Sequence, residues 1–390
     1  MVKLVKRTVS LMLVLLLFAG CCAAAEEPAN DPSVITVAAF PYLTDVDKFK
    51  ELAADMWAEI DPETELVFVD WDCYGPELPT ADVFMYDALF TDWLRHNDVL
   101  LPLAETDVDR ADDILPFVWE GVHDEGMLYG IPNLTCAYHL IYYQDDHEVA
   151  AADNMMDLYD VVCPRTTDDL QPADRSEGLF FATGETPFFY VEGLVDATSD
   201  PEVLMDLTNL SDPDALNSVI YMVEMAGAQL MEPPVKPEVL FDWFNSGYGR
   251  VYLGYSEALV NFDDIIDQLD IKLFSFSHQD NVPLYFVDMV SINSAVQNPQ
   301  KADKCKKLLN LLSSEAFIHS LLLNGEEELQ FMMPARLSVW QTLRQLHPLY
   351  EKLYGFITQE GNIVTRYGIT VHEYLTNAYA QLPTLMMNQY

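Results

Sequence analysis

From Val34 the chain passes through an apolar, β-branched run to Phe40. A segment with Phe49, Leu52, Ala53, Met56, Trp57 and Ile60 at helical spacing follows, and then a second extended run from Leu66 to Trp71. Apolar residues three and four apart occupy one helix face, whereas short apolar runs rich in Val and Ile suit buried strands. A tight hairpin can only join antiparallel strands, but a helical crossover returns the chain to lay the next strand parallel. The order therefore predicts a parallel pair inside a layered α/β structure.

The alternation continues, with Asp82 to Tyr86 as a strand, Ala88 to Arg95 as a short helix running to Asn97-Asp98, and Ala137 to Tyr143 as a further strand. Parallel strands deliver their following loops to a common crevice at the carboxyl edge of the sheet. Asp153 to Asp160 opens a polar, loop-rich passage that extends through Thr166-Thr167-Asp168-Asp169 to Glu177. An amphipathic helix from about Pro213 to Met231 carries Leu216, Val219, Ile220, Val223 and Leu230. Strands are predicted over Arg250 to Tyr255 and Val282 to Ile292, a Lys-rich helix over Pro299 to Leu312, and a mostly helical tail over Ala335 to Leu385.

With 390 residues, half of them hydrophobic, the chain can bury one large core or two smaller ones. Its 63 acidic and 20 basic residues leave a formal charge of -43. No basic face is left to neutralise phosphates, which argues against nucleic acid as a partner. A cationic small molecule suits that charge, but charge alone names no reaction. Lys3, Lys6 and Arg7 precede an apolar stretch from Leu11 to Phe18 and then small residues, the order of a secretory signal peptide over residues 1–25. Two cleavage readings stand side by side. Phe18-Ala19-Gly20-Cys21 resembles a lipoprotein box that would place a lipid on Cys21, while Ala23-Ala24-Ala25 suits an ordinary signal peptidase. Residues 26–33 read as a linker. No later apolar run reaches the ~18 residues of a membrane span, so the expectation is an exported protein, secreted or lipid-anchored.

Cys73, Cys136, Cys163 and Cys305 lie beyond the leader, and an even count in an oxidising compartment permits two disulfides. None forms a Cys-x-x-Cys pattern. His123-Asp124-Glu125 and Asp145-Asp146-His147-Glu148 hold metal-ligand residue types but read as solvated loop charge. No metal site and no cofactor are expected, and the chain carries no phosphate loop or dinucleotide fingerprint. Asn133-Leu134-Thr135 and Asn209-Leu210-Ser211 fit the glycosylation triplet, which chance produces often.

The order of elements resembles the two-lobed periplasmic-binding-protein architecture with maltose-binding-style crossovers. Three segments carry that likeness: the export signal followed by Val34 to Trp71, Tyr129-Gly130-Ile131-Pro132 leading into Ile141-Tyr142-Tyr143, and Ser291-Ile292-Asn293-Ser294 followed by Pro299 to Leu312. The resemblance implies discontinuous lobes, residues 34–142 with 289–330 and residues 143–288 with 331–390, and a ligand cleft between them. Three patterns would line such a cleft: Asp70-Trp71-Asp72-Cys73-Tyr74 leaving a strand, Asn133-Leu134-Thr135-Cys136 preceding one, and Gly254-Tyr255-Ser256-Glu257 ending one. Aromatic rings mixed with carboxylates suit a flat cationic heterocycle, through stacking, cation–π contact and accepted hydrogen bonds. By themselves Trp71 and Tyr74 equally suit a core, and Asp70 and Asp72 a solvated strand end.

Ordered motifs narrow the choice. Phe40-Pro41-Tyr42, Asp70-Trp71-Asp72 with Tyr74, Asp82-Val83-Phe84 leading to Asp87, and Asp113-Ile114-Leu115-Pro116-Phe117 come first. Tyr129-Gly130-Ile131-Pro132 to Cys136, Gly254-Tyr255-Ser256-Glu257, Pro283 to Asn293 around Asp288, and Pro334-Ala335-Arg336 follow. In these the chain resembles the thiamine pyridinylase family, the type I thiaminases, over nearly all of its length beyond the leader. The resemblance implies that the Cys136 thiol adds to C6 of an aminopyrimidine with Glu257 as the base. The bond from the methylene bridge to the thiazolium then breaks, and an amine or thiol nucleophile takes the thiazole's place. It also implies pyrimidine binding by Asp87 and Asp288 and aromatic cleft positions at Tyr42, Tyr74 and Tyr255. A thiol of pKa ~8.5 is mostly protonated near neutrality, so a neighbouring carboxylate can take its proton. The same negative charge disfavours a standing thiolate, which favours proton transfer concerted with attack. One departure concerns Tyr285-Phe286, where members read Phe-Tyr, implying a cleft hydroxyl missing or moved. The partners so implied are thiamine and a small nucleophile, acting on a monomer. The alternative from another class is a non-catalytic extracytoplasmic solute-binding protein for thiamine or a related molecule, which would need neither Cys136 nor Glu257. An acidic carbohydrate-binding protein is a third reading, suited by the aromatics but not by the cysteine.

Overall fold

The computed structural model describes residues 31–124, 126–162, 180–207, 210–226, 236–277, 279–324 and 328–387. The leader with Cys21, residues 26–30 of the linker, Cys163, Asn209 and the Thr166 to Glu177 passage lie outside these residues.

Val34–Ala38, Val46–Ile60 and Glu65–Phe68 form the predicted strand, helix and strand, and the two strands pair in parallel from Val34 opposite Glu65 to Val37 opposite Phe68. The helix buries Phe49, Ala53 and Trp57, at intervals of four that keep one face on the sheet. Asp45 caps it by accepting from the Lys48 amide. Val83–Asp87 extends the sheet on the other side of Val34–Ala38, again in parallel. Among the described residues this sheet has seven strands. It runs Met333–Pro334, Ile131–Cys136, Leu284–Ile292, Val83–Asp87, Val34–Ala38 and Glu65–Phe68, with Ile363–Val364 also paired to Leu284–Ile292. Leu284–Ile292 is antiparallel to both Val83–Asp87 and Ile131–Cys136. Those two strands therefore run in one direction and end on the same edge.

A smaller sheet has the order Leu269–Lys272, His139–Tyr143, Val251–Gly254 and Phe180–Ala182. Pairing changes sheet between Cys136 and His139 and again between Lys272 and Leu284. The expected lobe limits at 142 and 288 pass through strands that each stay whole within one sheet, because a hydrogen-bonded ladder continues to its last pair. Pro299–Leu312 covers the larger sheet, its Lys301 ammonium 2.8 Å from the Asp82 carboxylate and almost wholly enclosed. Leu337–Leu346, Pro348–Ile357 and Val371–Met387 form the helical tail.

Several local expectations are corrected. Met155–Val162 is a helix rather than polar loop, because Met155, Leu158 and Val162 recur at helical spacing and are buried. Asn133 to Cys136 belongs to a strand of its own instead of merely preceding one. Asp146 is no solvated loop acid: it is buried and accepts from Arg250 at 2.7 and 2.6 Å. Asn133 is fully buried, with its amide donating to the Leu312 carbonyl at 2.6 Å, so that glycosylation triplet is closed in the folded chain. Cys73, Cys136 and Cys305 are free thiols, so the two disulfides permitted by an even count do not form. Among the described residues no helix is long and apolar enough to cross a membrane, and no group of three or more His, Cys, Asp or Glu could hold a metal ion.

Candidate active site

The edges of the two sheets enclose a cavity of about 440 Å³. Asp87 and Cys136 are the last residues of their strands, so parallel direction brings both side chains to one edge. Asp288 faces Asp87 across the ladder, and Phe286 faces Cys136. Between Val287 and Met289 the register slips, with the extra residue on the Ile131–Cys136 strand, while Phe286 and Asp288 keep the alternation that puts both on the cavity face. Phe40 and Tyr42 follow the strand Val34–Ala38, and Tyr74 comes after Glu65–Phe68. From the smaller sheet, Tyr255 and Glu257 follow Val251–Gly254, and Glu185 and Phe188 follow Phe180–Ala182.

Every residue named from the sequence for a role in the site, namely Cys136, Glu257, Asp87, Asp288, Tyr42, Tyr74 and Tyr255, lines this one cavity. Trp71 does not. Its indole donates to the Glu77 carbonyl at 2.8 Å while its ring packs edge-on against Phe84, as a core residue does. Asp70 is exposed and away from the cavity. Asp72 acts one step removed, accepting at 2.9 Å from the Tyr42 hydroxyl and at 2.9 Å from the Tyr74 amide.

The lining is electrostatically one-sided: among the described residues it holds Asp87, Glu185, Glu257 and Asp288 but no Lys, Arg or His. Burial raises the Asp87 carboxyl to about 7, against the pull of hydrogen bonds from the Leu89 amide at 3.0 Å and the Tyr74 hydroxyl at 3.1 Å. Burial, then the charges of Asp87 and Glu257, push Asp288 well above the carboxylate range. Two carboxyls this close cannot both ionise readily, so Asp288 is the member that keeps its proton near neutrality. Glu257 is raised to about 7 by burial, tempered by its own backbone amide and by the Ser256 hydroxyl. That hydroxyl donates to the Phe331 carbonyl at 2.7 Å, which ties the Glu257 turn to the segment approaching Met333–Pro334. Burial first, and then the charges of Glu257, Asp288 and Asp87, raise the Cys136 thiol well above its ordinary value. The thiol is therefore protonated at rest beside a carboxyl group titrating near neutrality.

Tyr138 and Tyr255 stack with centroids 4.5 Å apart, and the Tyr255 hydroxyl donates to that of Tyr138 at 3.0 Å. Tyr138, Glu185, Phe188 and Tyr379 line the cavity without having been singled out in the sequence. Of these only Tyr138, two residues beyond Cys136, stood close to a recognisable motif. Phe286 lines the cavity, whereas Tyr285 points to the opposite face of its strand and is fully buried against Phe117. The order Tyr285-Phe286 thus puts a phenyl ring on the cavity side and leaves the hydroxyl in the core.

The Thiaminase-1 domain family model matches residues 137–277. A thiaminase-1 from Paenibacillus thiaminolyticus is 31% identical over 386 residues, covering 96% of this chain and 93% of that protein. The chain belongs to the thiaminase-1 family. A solved structure of Clostridium botulinum thiaminase I in complex with thiamin is 28% identical, with a TM-score of 0.85 over 90% of this chain and 100% of that one. The maltotriose-binding protein of Thermus thermophilus, bound with maltotriose, is 14% identical, with a TM-score of 0.61 over 90% of this chain and 93% of that one. The two-lobed binding-protein-like α/β fold expected from the sequence is therefore the fold found. Within this thiaminase-1 family member the matched domain begins one residue after Cys136 and contains Glu185, Tyr255 and Glu257, while Asp87 and Asp288 lie outside it.

Proposed function

We propose that this protein is a thiamine pyridinylase, a transferase that cleaves thiamine and exchanges its thiazole for another nucleophile. Family membership and the likeness to a thiaminase I structure in complex with thiamin support this reading. The observation that carries it is the meeting of Cys136 from the larger sheet and Glu257 from the smaller one in a single cavity lined by carboxyls and aromatic rings. A receptor needs neither a buried thiol nor a base beside it.

The aminopyrimidine presents an acceptor ring nitrogen next to an amino donor, which complements one protonated and one ionised carboxyl. Asp288, the member that holds its proton, donates to the ring nitrogen, and Asp87 accepts from the amino group. Cys136 sulfur bonds to C6 as its proton passes to Glu257, and the ring nitrogen takes up the electrons with help from Asp288. The elevated thiol makes this transfer concerted with attack rather than a prior ionisation. Electrons return through the ring, the bond from methylene to thiazolium nitrogen breaks, and the pair leaves on that nitrogen as neutral thiazole. An amine or thiol then bonds to the methylene carbon, and loss of its proton with departure of Cys136 restores the thiol and the aromatic ring. The protein acts as a monomer in this reading. It is exported, secreted or lipid-anchored at Cys21, and its acidic surface suits an extracellular medium.

The test is incubation of thiamine with an amine or thiol, followed by mass spectrometry for the exchanged pyrimidine and free thiazole. Absence of turnover across a range of acceptors, together with tight reversible binding of thiamine, would establish the solute-binding alternative instead.

A further inference from the structure

Asp87, Asp288 and Glu257 each have work in the reaction above, but Glu185, the fourth carboxyl group on the cavity wall, has none. It follows the strand Phe180–Ala182 and stands at the start of the helix Thr186–Thr198 without capping it. It is exposed at the rim of the cavity, yet desolvation by the surrounding wall raises its carboxyl above the ordinary range, with no hydrogen-bonding side chain or neighbouring cation to lower it among the described residues. It shares the cavity wall with Tyr42 and Tyr138. Tyr42 is 61% exposed and Tyr379 is 45% exposed, and these mark the mouth; Asp87, at 3%, marks the floor. The pyrimidine must lie at the Cys136 and Asp87 end for reaction at C6, so the second ring, one methylene away, reaches toward Glu185 and the mouth.

We propose that Glu185 is the recognition group for the thiazolium cation, a subsite distinct from the carboxyl pair that holds the pyrimidine. This inference rests on the thiamine-cleaving reading. A bound cation favours the ionised form of a carboxyl group and offsets the desolvation of the site. The reaction then removes the charge that Glu185 attracts: the electron pair of the breaking bond passes to the ring nitrogen, and the product thiazole is neutral. Glu185 therefore holds the substrate more strongly than the product. It also stabilises the ground state more than the transition state, where the cationic charge is already fading, so it lowers KM without raising kcat.

The experiment compares wild type with Glu185→Gln, which keeps the shape and removes the charge, using Glu185→Asp as the conservative variant. Expected for Glu185→Gln are a KM for thiamine raised roughly fivefold, as for a partly solvated ion pair, and a kcat no lower than that of wild type. Inhibition by an N-alkylthiazolium should weaken in parallel while inhibition by the neutral thiazole stays unchanged, and Glu185→Asp should recover part of the loss. An unchanged KM, equal weakening of both inhibitors, or a fall in kcat at constant KM would overturn the assignment. Wild-type turnover separates the two levels. If wild type does not exchange thiamine the functional reading fails, whereas an active wild type with an indifferent Glu185→Gln removes only the cation subsite.

Discussion

Asp288 stands directly opposite Asp87 where the strands Leu284–Ile292 and Val83–Asp87 pair, and both carboxyls face one cavity. The Asp87 charge adds to burial in raising the cost of ionising Asp288, so Asp288 is the member of the pair that holds its proton more firmly. Asp87→Asn and Asp288→Asn should each lower kcat/KM for thiamine by about 1.5–3 kcal/mol, the scale of a hydrogen bond to a charged group. The double variant should lose less than the two single losses combined, because either change already destroys the proton-sharing arrangement. Steady-state kinetics on the four proteins measure this coupling, and strict additivity would show that the two act independently.

Cys136→Ser should abolish exchange while leaving thiamine binding measurable by calorimetry. Glu257→Gln should reduce kcat by about 10²–10⁴, the range of a general base. In wild type, activity should rise with pH as Glu257 loses its proton at about 7. That limb should disappear in Glu257→Gln, with the residual rate following the much higher thiol titration. A retained limb near 7 would assign it to Asp87, which is also raised to about 7.

The buried acids also govern stability. Asp87 and Glu257 are raised from 3.8 and 4.5 to about 7 by burial, and Asp196, which accepts from the Phe276 and Val282 amides, is raised to about 7 in the same way. Between about pH 4, where the unfolded chain releases these protons, and about 7, the folded chain binds more protons than the unfolded one. Stability contributed by these groups is complete below the lower value and is lost as pH rises through the upper one. Thermal unfolding should therefore occur several degrees higher at pH 5.5 than at 7.5. Asp87→Asn and Glu257→Gln should flatten that difference, and a Tm that rises with pH across this window would contradict it.

Gly184 adopts a φ of +140°, and a Cβ there would lie 2.6 Å from the Phe189 ring and 2.8 Å from the Tyr138 hydroxyl. Gly184→Ala should cost about 1–3 kcal/mol in backbone strain and more if the rings cannot yield. It should also displace Tyr138 and Glu185 together. Chemical denaturation and the KM for thiamine report the two effects separately.

Much of this was legible in the chain itself. The β-branched runs around Phe49 to Ile60 dictated a parallel pair, since local periodicity and the length of the crossover leave little choice. The family resemblance carried by ordered short motifs also pointed to seven of the residues that line the cavity, Cys136 and Glu257 among them. Local pattern could not distinguish a solvated acid from a paired one. Asp146 was read as loop charge until its bidentate partner Arg250, far along the chain, gave it a reason to be buried. Nor could it identify Glu185, Tyr138 and Tyr379, whose value depends on where two sheets and the final helix converge.

The sequence by itself determined most of the element types and, through its resemblance to a family, the family and the candidate site residues, because these depend on side-chain chemistry and short-range spacing. Only the tertiary structure decided that three thiols stay unbridged, that Phe286 rather than Tyr285 faces the cavity, and that, among the described residues, four carboxyls meet there without a cation. Those outcomes depend on strand register and on contacts between residues distant in sequence. Pairing fixes which face a side chain presents, and burial without a partner fixes how strongly its charge is resisted.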